Sequence, residues 1–164
     1  MNTMAQHETE IVAPEGVPWL DIIREFDAPP AKVYRAHVDP ELAVRWIGPH
    51  DLEMTIDRWD ARTGGEWAYT HRRGEDAFRF YGSFHELREG VRIVQTFAFE
   101  GAPDAVALGI ATFQELPDGR TRMVNRSIGS SIEERDAMIA SGMATGVEAG
   151  YEKLDALLAE KIDN

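Results

Sequence analysis

The chain has 164 residues, 43% hydrophobic and 28% charged, a composition typical of one globular domain rather than of a disordered chain. Its formal net charge of −12 argues against a main role in binding nucleic acid or anionic lipid, because both need a positive surface. It contains no cysteine, which excludes a disulfide scaffold, a thiol nucleophile and any cysteine-ligated metal site.

The first 18 residues predict a flexible leader rather than a targeting signal. They have neither the basic start nor the apolar stretch of a signal peptide, and Pro14, Gly16 and Pro18 stand at their end. No run of the sequence approaches the ~18 apolar residues that a membrane span requires. We therefore expect a cytoplasmic protein without a membrane partner, made of this leader and a single domain over 19–162.

One strand and two short helices are the first predicted elements of the domain. Over 19–27 apolar and charged residues alternate, as in a half-buried strand. Apolar residues at helical spacing predict a helix over 31–38. Asp39 as an N-cap and Pro40 at the first helical position predict a second helix over 40–46.

Six further strands follow, separated by short turns rich in glycine, proline and aspartate. Their predicted ranges are 52–60, 66–73, 77–87, 91–100, 106–116 and 120–128. Because the links between consecutive strands are short, they predict an antiparallel meander. Together with strand 19–27 they predict a seven-stranded antiparallel sheet.

A long helix is predicted for the end of the chain. Ser131 is its expected N-cap, and apolar residues recur at steps of three, four or seven as far as Ile162. Such a helix of about 30 residues would be ~45 Å long, enough to lie across the whole sheet. This order of elements buries its apolar faces when the sheet wraps around the helix, which predicts an α+β fold.

Three glycines lie four residues apart inside this predicted helix, at Gly142, Gly146 and Gly150. An interior glycine costs ~1 kcal/mol relative to alanine, so the row needs a structural reason. Two interpretations stay open. The row lets the helix approach the sheet closely, or it leaves space for a ligand and makes the helix bendable.

Several segments of the chain resemble one superfamily in their order and in their amino-acid sequences. They are FDAPPAKVYRAHVDPELAVRWIGP (26–49), WDARTGGEW (59–67), YGSFHEL (81–87), VRIVQTFAFEG (91–101), ATFQELPDGRT (111–121) and the ending SIEERDAMIASGM…GYEKLDALL (131–158). These segments resemble the START-like, helix-grip superfamily called SRPBCC, and within it the AHSA-type branch, the bacterial homologues of the heat-shock chaperone ATPase activator. The resemblance covers about residues 19–160. The chain departs from the branch at Trp46-Ile47-Gly48-Pro49, where tandem tryptophans are frequent.

The resemblance implies a helix-grip (START/Bet v-like) fold with a cavity between the curved sheet and the C-terminal helix, which in this superfamily commonly takes apolar or amphipathic ligands. Strand parity selects the side chains that face it. The predicted ligand-binding residues are Trp67, Tyr69, Phe80, Gln95, Phe97, Phe113, Met123, Asn125, Met143, Val147 and Tyr151. For any one of them the alternative is an ordinary core position. In strand 106–116 parity leaves two choices, because Leu108 and Ile110 oppose Phe113.

Three functions follow from this reading. The first is non-enzymatic binding of a small apolar or amphipathic molecule, with no cofactor and, since the histidines form no spaced ligand pattern, no metal. The second is an enzyme of the cyclase, isomerase or dehydratase type that uses His71 with Glu86 or Tyr69. His71 and Glu86 share a predicted face and could act as general base and orienter. The third, suggested by the branch name, is a chaperone-interacting protein, which would need an exposed patch on the outer sheet face, where mainly Arg and Glu are predicted. A homodimer stays open.

Overall fold

A computed structural model describes residues 7–161, so residues 1–6 of the predicted leader and Ile162 lie outside the described residues. In chain order the elements are β1 Glu10–Val12, β2 Trp19–Phe26, α1 Pro30–Val38, α2 Pro40–Ala43, β3 Glu53–Trp59, β4 Glu66–Arg73, β5 Asp76–Arg88, β6 Arg92–Phe99, β7 Val106–Glu115, β8 Thr121–Ile128, α3 Ile132–Ala140 and α4 Met143–Leu158. The predicted α+β class is confirmed, with one curved sheet and helices against its inner face. Within the described residues no helix is both long and apolar enough to cross a membrane.

The sheet is antiparallel, with the strand order β1-β2-β8-β7-β6-β5-β4-β3. Strands β3 to β8 form the predicted meander, and β8 also pairs with β2, where Trp19 lies opposite Ile128. The predicted number of seven strands is wrong, since β1 pairs with β2 and makes an eighth. β1 lies in the range assigned to the leader, and three residues are too few for alternation to reveal a strand.

Both short helices form where they are predicted, but α2 ends at Ala43 instead of at residue 46. The Asp39 side chain accepts a hydrogen bond from the backbone N–H of Glu41, which caps α2, and Pro40 occupies its first turn. The indole Nε1 of Trp46 donates to the carbonyl oxygen of Ala36 at 2.9 Å. This bond fixes the segment after α2 against α1, so that loop 46–49 faces the interior of the sheet.

The single long C-terminal helix that the sequence predicts is wrong, because the chain forms α3 and α4 with a break between them. Gly142 has φ 86° and is the N-cap residue of α4. This left-handed backbone is favourable for glycine and costly for residues with a Cβ atom. Apolar residues keep helical spacing across the break, so periodicity alone does not reveal it, although Ile132 and Ile139 of α3 are 37% and 39% exposed. α4 has 16 residues and is therefore ~24 Å long.

Packing and one buried ion pair attach α4 to the inner face of the sheet. Leu154 and Leu157 are buried in the core, and the Tyr151 ring meets Phe26 edge-on at 5.3 Å. Arg24, on the inward face of β2, donates to the two carboxylate oxygens of Asp155 at 2.9 and 2.7 Å. These contacts set the distance between helix and sheet along the C-terminal half of α4.

Candidate functional site

A cavity of about 570 Å³ lies between the inner face of the sheet and α4. Nine of the eleven predicted ligand-binding residues line it: Trp67, Tyr69, Phe80, Gln95, Phe97, Asn125, Met143, Val147 and Tyr151. Ser141, Gly142 and Phe97 belong to the lining and are exposed, which puts the opening beside the break between α3 and α4.

The remaining two predicted residues, Phe113 and Met123, lie in the packed core instead of in the cavity wall. They are opposite each other in the register of β7 and β8, and the Phe113 ring packs edge-on against Tyr34 of α1 at 5.8 Å. Their parity is inward as expected, but α1 covers this end of the sheet. Alternation identifies the face of a strand and does not say which helix packs on it.

The open parity of β7 is decided by its glycine and alanine. Gly109 and Ala111 line the cavity, so Leu108 and Ile110 point to the outer face. Phe113 has the inward parity of Gly109 and Ala111. The cavity is therefore wide at β7, because the two strand residues that face it there are the smallest ones available.

Sequence reasoning missed the part of the lining that comes from α1 and from the segment after α2. His37, Trp46 and loop 47–49 close one side of the cavity. His37 lies four residues after Val33 on α1, and this spacing puts both on the inward face of the helix. That spacing is the signal that could have identified His37.

Aromatic rings form one continuous wall along β4, β5 and β6. Trp67 stacks on Tyr69 with ring centroids 5.4 Å apart. Tyr69 contacts Phe80 at 5.4 Å, and Phe80 contacts Phe97 at 5.4 Å. Such pairs favour offset or edge-on contact and fix the rings against one another. The wall offers a rigid apolar surface to whatever occupies the cavity.

His71 reaches the cavity at the end of this wall, without the acid that was expected beside it. Its Nε2 donates to the carbonyl oxygen of Ile47 at 3.3 Å, and burial lowers its pKa. A Cβ atom at Gly48 would lie 2.5 Å from Cε1 of His71, so a glycine is needed for the loop to pack here.

Glu86 lies elsewhere, in ion pairs with Arg88 at 2.9 Å and Arg92 at 3.1 Å, and it does not line the cavity. A register shift between Phe84 and Glu86 is the reason, because the bulge reverses the alternation of β5. Leu87 packs against the core in its place. The predicted His71–Glu86 acid–base pair is therefore wrong.

His37 is the second cavity histidine, and it is half-buried, whereas His71 is 5% exposed. Its Nδ1 donates to the carbonyl oxygen of Val33 at 2.8 Å, and its ring meets Trp46 edge-on at 4.8 Å. Burial lowers the pKa of His37 to about 4, so the imidazole is neutral at pH 7.

The cavity carries no charge at neutral pH. Among the described residues none of its lining side chains is Asp, Glu, Lys or Arg. Burial raises the pKa of Tyr69, and it raises that of Tyr151 despite an opposing effect of Arg24. In residues 7–161 no group of three or more His, Asp or Glu side chains is placed to hold a metal ion.

Acidification is expected to destabilise the protein through His37. The pKa of the histidine is 6.5 in the unfolded chain and about 4 in the folded protein, so the unfolded state binds more protons between these values. The contribution of His37 to the free energy of unfolding is fully present above pH 6.5. It is lost as the pH falls, by roughly 3 kcal/mol at pH 4. Urea unfolding followed by tryptophan fluorescence at several pH values measures it. His37→Phe should flatten most of this dependence, whereas His85→Phe, at an exposed strand position, should keep it. Equal slopes in the two variants would contradict the assignment.

The three glycines of α4 and its N-cap have three different environments. Gly142 supplies the left-handed residue at the break. A Cβ atom at Gly146 would meet only Pro49 Cδ at 3.9 Å, beside the cavity. A Cβ atom at Gly150 would lie 3.0 Å from the carbonyl oxygen of Trp46. Close packing therefore explains Gly150, cavity space agrees with Gly146, and the break explains Gly142.

Comparisons with known proteins agree with this architecture. A family model described as Activator of Hsp90 ATPase homolog 1-like protein matches residues 27–159. Protein Ms6760 from Mycobacterium smegmatis superposes with a TM-score of 0.83 at 22% identity, covering 95% of this chain and 100% of that one. A Rhodobacter sphaeroides protein gives 0.84 at 24% identity, with 93% and 99% covered. An AHSA1-like protein from Aeromonas hydrophila gives 0.69 at 19% identity, with 89% and 98% covered. These structures establish the fold, and a search of curated proteins finds no match to the chain.

Proposed function

Since the chain belongs to the family of Activator of Hsp90 ATPase homolog 1-like proteins, we propose that it binds a small apolar or amphipathic molecule between the sheet and α4, without catalysis. The observation that carries the proposal is the cavity of about 570 Å³, walled by aromatic rings. Packed protein interiors leave few voids larger than a water molecule, whereas ligand pockets measure roughly 300–1,000 Å³. A space of this size is therefore better explained by an occupant than by imperfect packing.

Apolar burial supplies the affinity in this proposal, and a few polar groups supply the orientation. Each Å² of ligand surface taken from water contributes ~25 cal/mol, less the cost of ordering the ligand. The Tyr69 hydroxyl and the amides of Gln95 and Asn125 lie among the aromatic side chains and can orient a polar substituent. The ligand enters beside Ser141 and Gly142, where the lining is exposed.

Native mass spectrometry and an uncharged dye test the proposal together. Purified protein is examined for a bound small molecule, then extracted with organic solvent and titrated with Nile red. We expect either a co-purified mass that the solvent releases, or saturable dye binding with one molecule per chain. Protein that carries no such mass and binds no dye saturably would refute the proposal.

A chaperone-contacting role is a second candidate, which the family name suggests and the outer sheet face favours. The side chains of Val106 and Leu108 on β7 are 47% and 36% exposed, although mainly charged residues were expected there. In this case the protein would raise the ATPase rate of a purified Hsp90-type chaperone, and Leu108→Glu would abolish the increase. An unchanged ATPase rate would remove this candidate.

Three further expectations stay predictions: the single domain over 19–162, the cytoplasmic location and the homodimer.

A further inference from the structure

The tautomer of His37 is fixed by its helix. Nδ1 lies 2.8 Å from the carbonyl oxygen of Val33, and a carbonyl oxygen can only accept a hydrogen bond. Nδ1 therefore carries the proton of the neutral ring. The other nitrogen, Nε2, then has a free lone pair and acts as an acceptor.

This acceptor has no partner within residues 7–161, and it is not sealed in the interior either. The fully buried side-chain atoms without a hydrogen-bond partner do not include Nε2, so this nitrogen keeps some accessible surface. His37 itself is only half-buried, because it lines the cavity. Edge-on contacts with Trp46 at 4.8 Å and Phe113 at 5.4 Å hold the ring in place. An unused acceptor in an apolar wall favours a ligand that brings a donor to it.

The charges around the cavity indicate whether its ligand is charged or neutral. Among residues 7–161 no lining side chain is ionised at neutral pH, and the nearby Arg24 is already paired with Asp155. The charge of Lys153 contributes to lowering the pKa of His71. The Nζ atom of Lys153 lies 3.5 Å from the carbonyl oxygen of Pro49, and Lys153 does not line the cavity. A charged ligand group that enters the cavity would lose its hydration without gaining an opposite charge.

We infer that the cavity selects an uncharged ligand carrying a hydroxyl group, and that this hydroxyl donates to Nε2 of His37. The inference rests on the proposed function, because it assigns the chemical class of the molecule in the same cavity. Most of the ligand would lie against the aromatic wall, with its hydroxyl directed towards α1. His37 is then a specificity-determining contact of the cavity, in addition to the polar groups of Tyr69, Gln95 and Asn125.

Three trans-stilbenes that share one skeleton test this assignment at pH 7. They carry at position 4 a hydroxyl group, a methyl group of similar size that cannot donate, or a carboxylate. We expect the carboxylate to bind at least about tenfold more weakly than the phenol, since it meets no cation. Replacing His37 by Phe should weaken binding of the phenol about tenfold and leave the methyl compound within about twofold. His85→Phe is the matched control and should change neither.

The outcomes separate this inference from the proposed function. Equal loss of the phenol and the methyl compound in His37→Phe, or equal binding of phenol and carboxylate, would overturn the inference alone. The same holds if no stilbene binds while Nile red does. If neither the stilbenes nor Nile red bind and no small molecule co-purifies, both proposals fail.

A measurement on the unmodified protein keeps the test decisive if His37→Phe does not fold. The imidazole ¹⁵N resonances report whether Nε2 is a free or a hydrogen-bonded acceptor. We expect the hydroxyl compound to shift the His37 Nε2 resonance and the methyl compound to leave it in place. Equal shifts with both compounds would contradict the proposed hydrogen bond.

Discussion

The Gly146→Leu variant is expected to lose Nile red binding, by at least about 50-fold, while becoming more stable than the wild type. Gly146 lies in α4 and lines the cavity, and a Cβ atom there would meet only Pro49 Cδ at 3.9 Å. A leucine side chain would therefore enter the space that we assign to the ligand. Glycine is about 0.8 kcal/mol less favourable than leucine in a helix interior, so the substitution should also raise the free energy of unfolding. Dye titration and urea unfolding measure the two effects.

Two neighbouring positions of the same helical region provide the controls. Ala144→Leu, at an exposed position of α4, should leave both affinity and stability close to the wild type. Gly150→Leu should lower the free energy of unfolding by about 3 kcal/mol, because its Cβ would lie 3.0 Å from the backbone oxygen of Trp46. Unchanged dye affinity in Gly146→Leu would show that binding occurs elsewhere on the protein.

The Asp155→Ala variant is expected to lose about 3 kcal/mol of stability. Arg24 is 2% exposed, and Asp155 accepts hydrogen bonds from both of its terminal nitrogens. Removing the carboxylate leaves a buried guanidinium between the Phe26 and Tyr151 rings, with centroids at 4.9 and 5.8 Å, and no anion beside it. Because part of Asp155 faces solvent, water would offset some of the loss. Urea unfolding measures the difference from the wild type.

A double variant and an exposed ion pair show whether burial causes this loss. Arg24→Met combined with Asp155→Leu removes both charges and should recover most of the stability, because apolar pairs replace buried ion pairs at little cost. The exposed pair of Arg45 and Glu160 also reaches the C-terminal end of α4, yet Glu160→Ala should leave the unfolding midpoint unchanged. A similar loss in Glu160→Ala would mean that charge alone, without burial, stabilises α4.

Local sequence patterns predicted cavity-facing residues correctly on a regular strand, but not next to a bulge or under a different helix. Trp67 and Tyr69 were identified correctly as cavity-facing because β4 alternates regularly. Glu86 was misplaced because one bulge reverses the alternation of β5, and no local signal marks that bulge. Phe113 was given the correct face but the wrong neighbour, since α1 rather than α4 covers it.

From the amino-acid sequence alone we could predict the order of the elements, the antiparallel meander, the family and the inward face of most strands. These properties depend on spacings of two to four residues, which the chain carries locally. The three-dimensional arrangement was needed to show that the C-terminal helix breaks at Gly142 and that β1 joins the sheet. It was also needed to show that His37, Tyr69 and Phe97 line one cavity. Empty space is a property of the distances between elements far apart in the chain, and no local pattern encodes those distances.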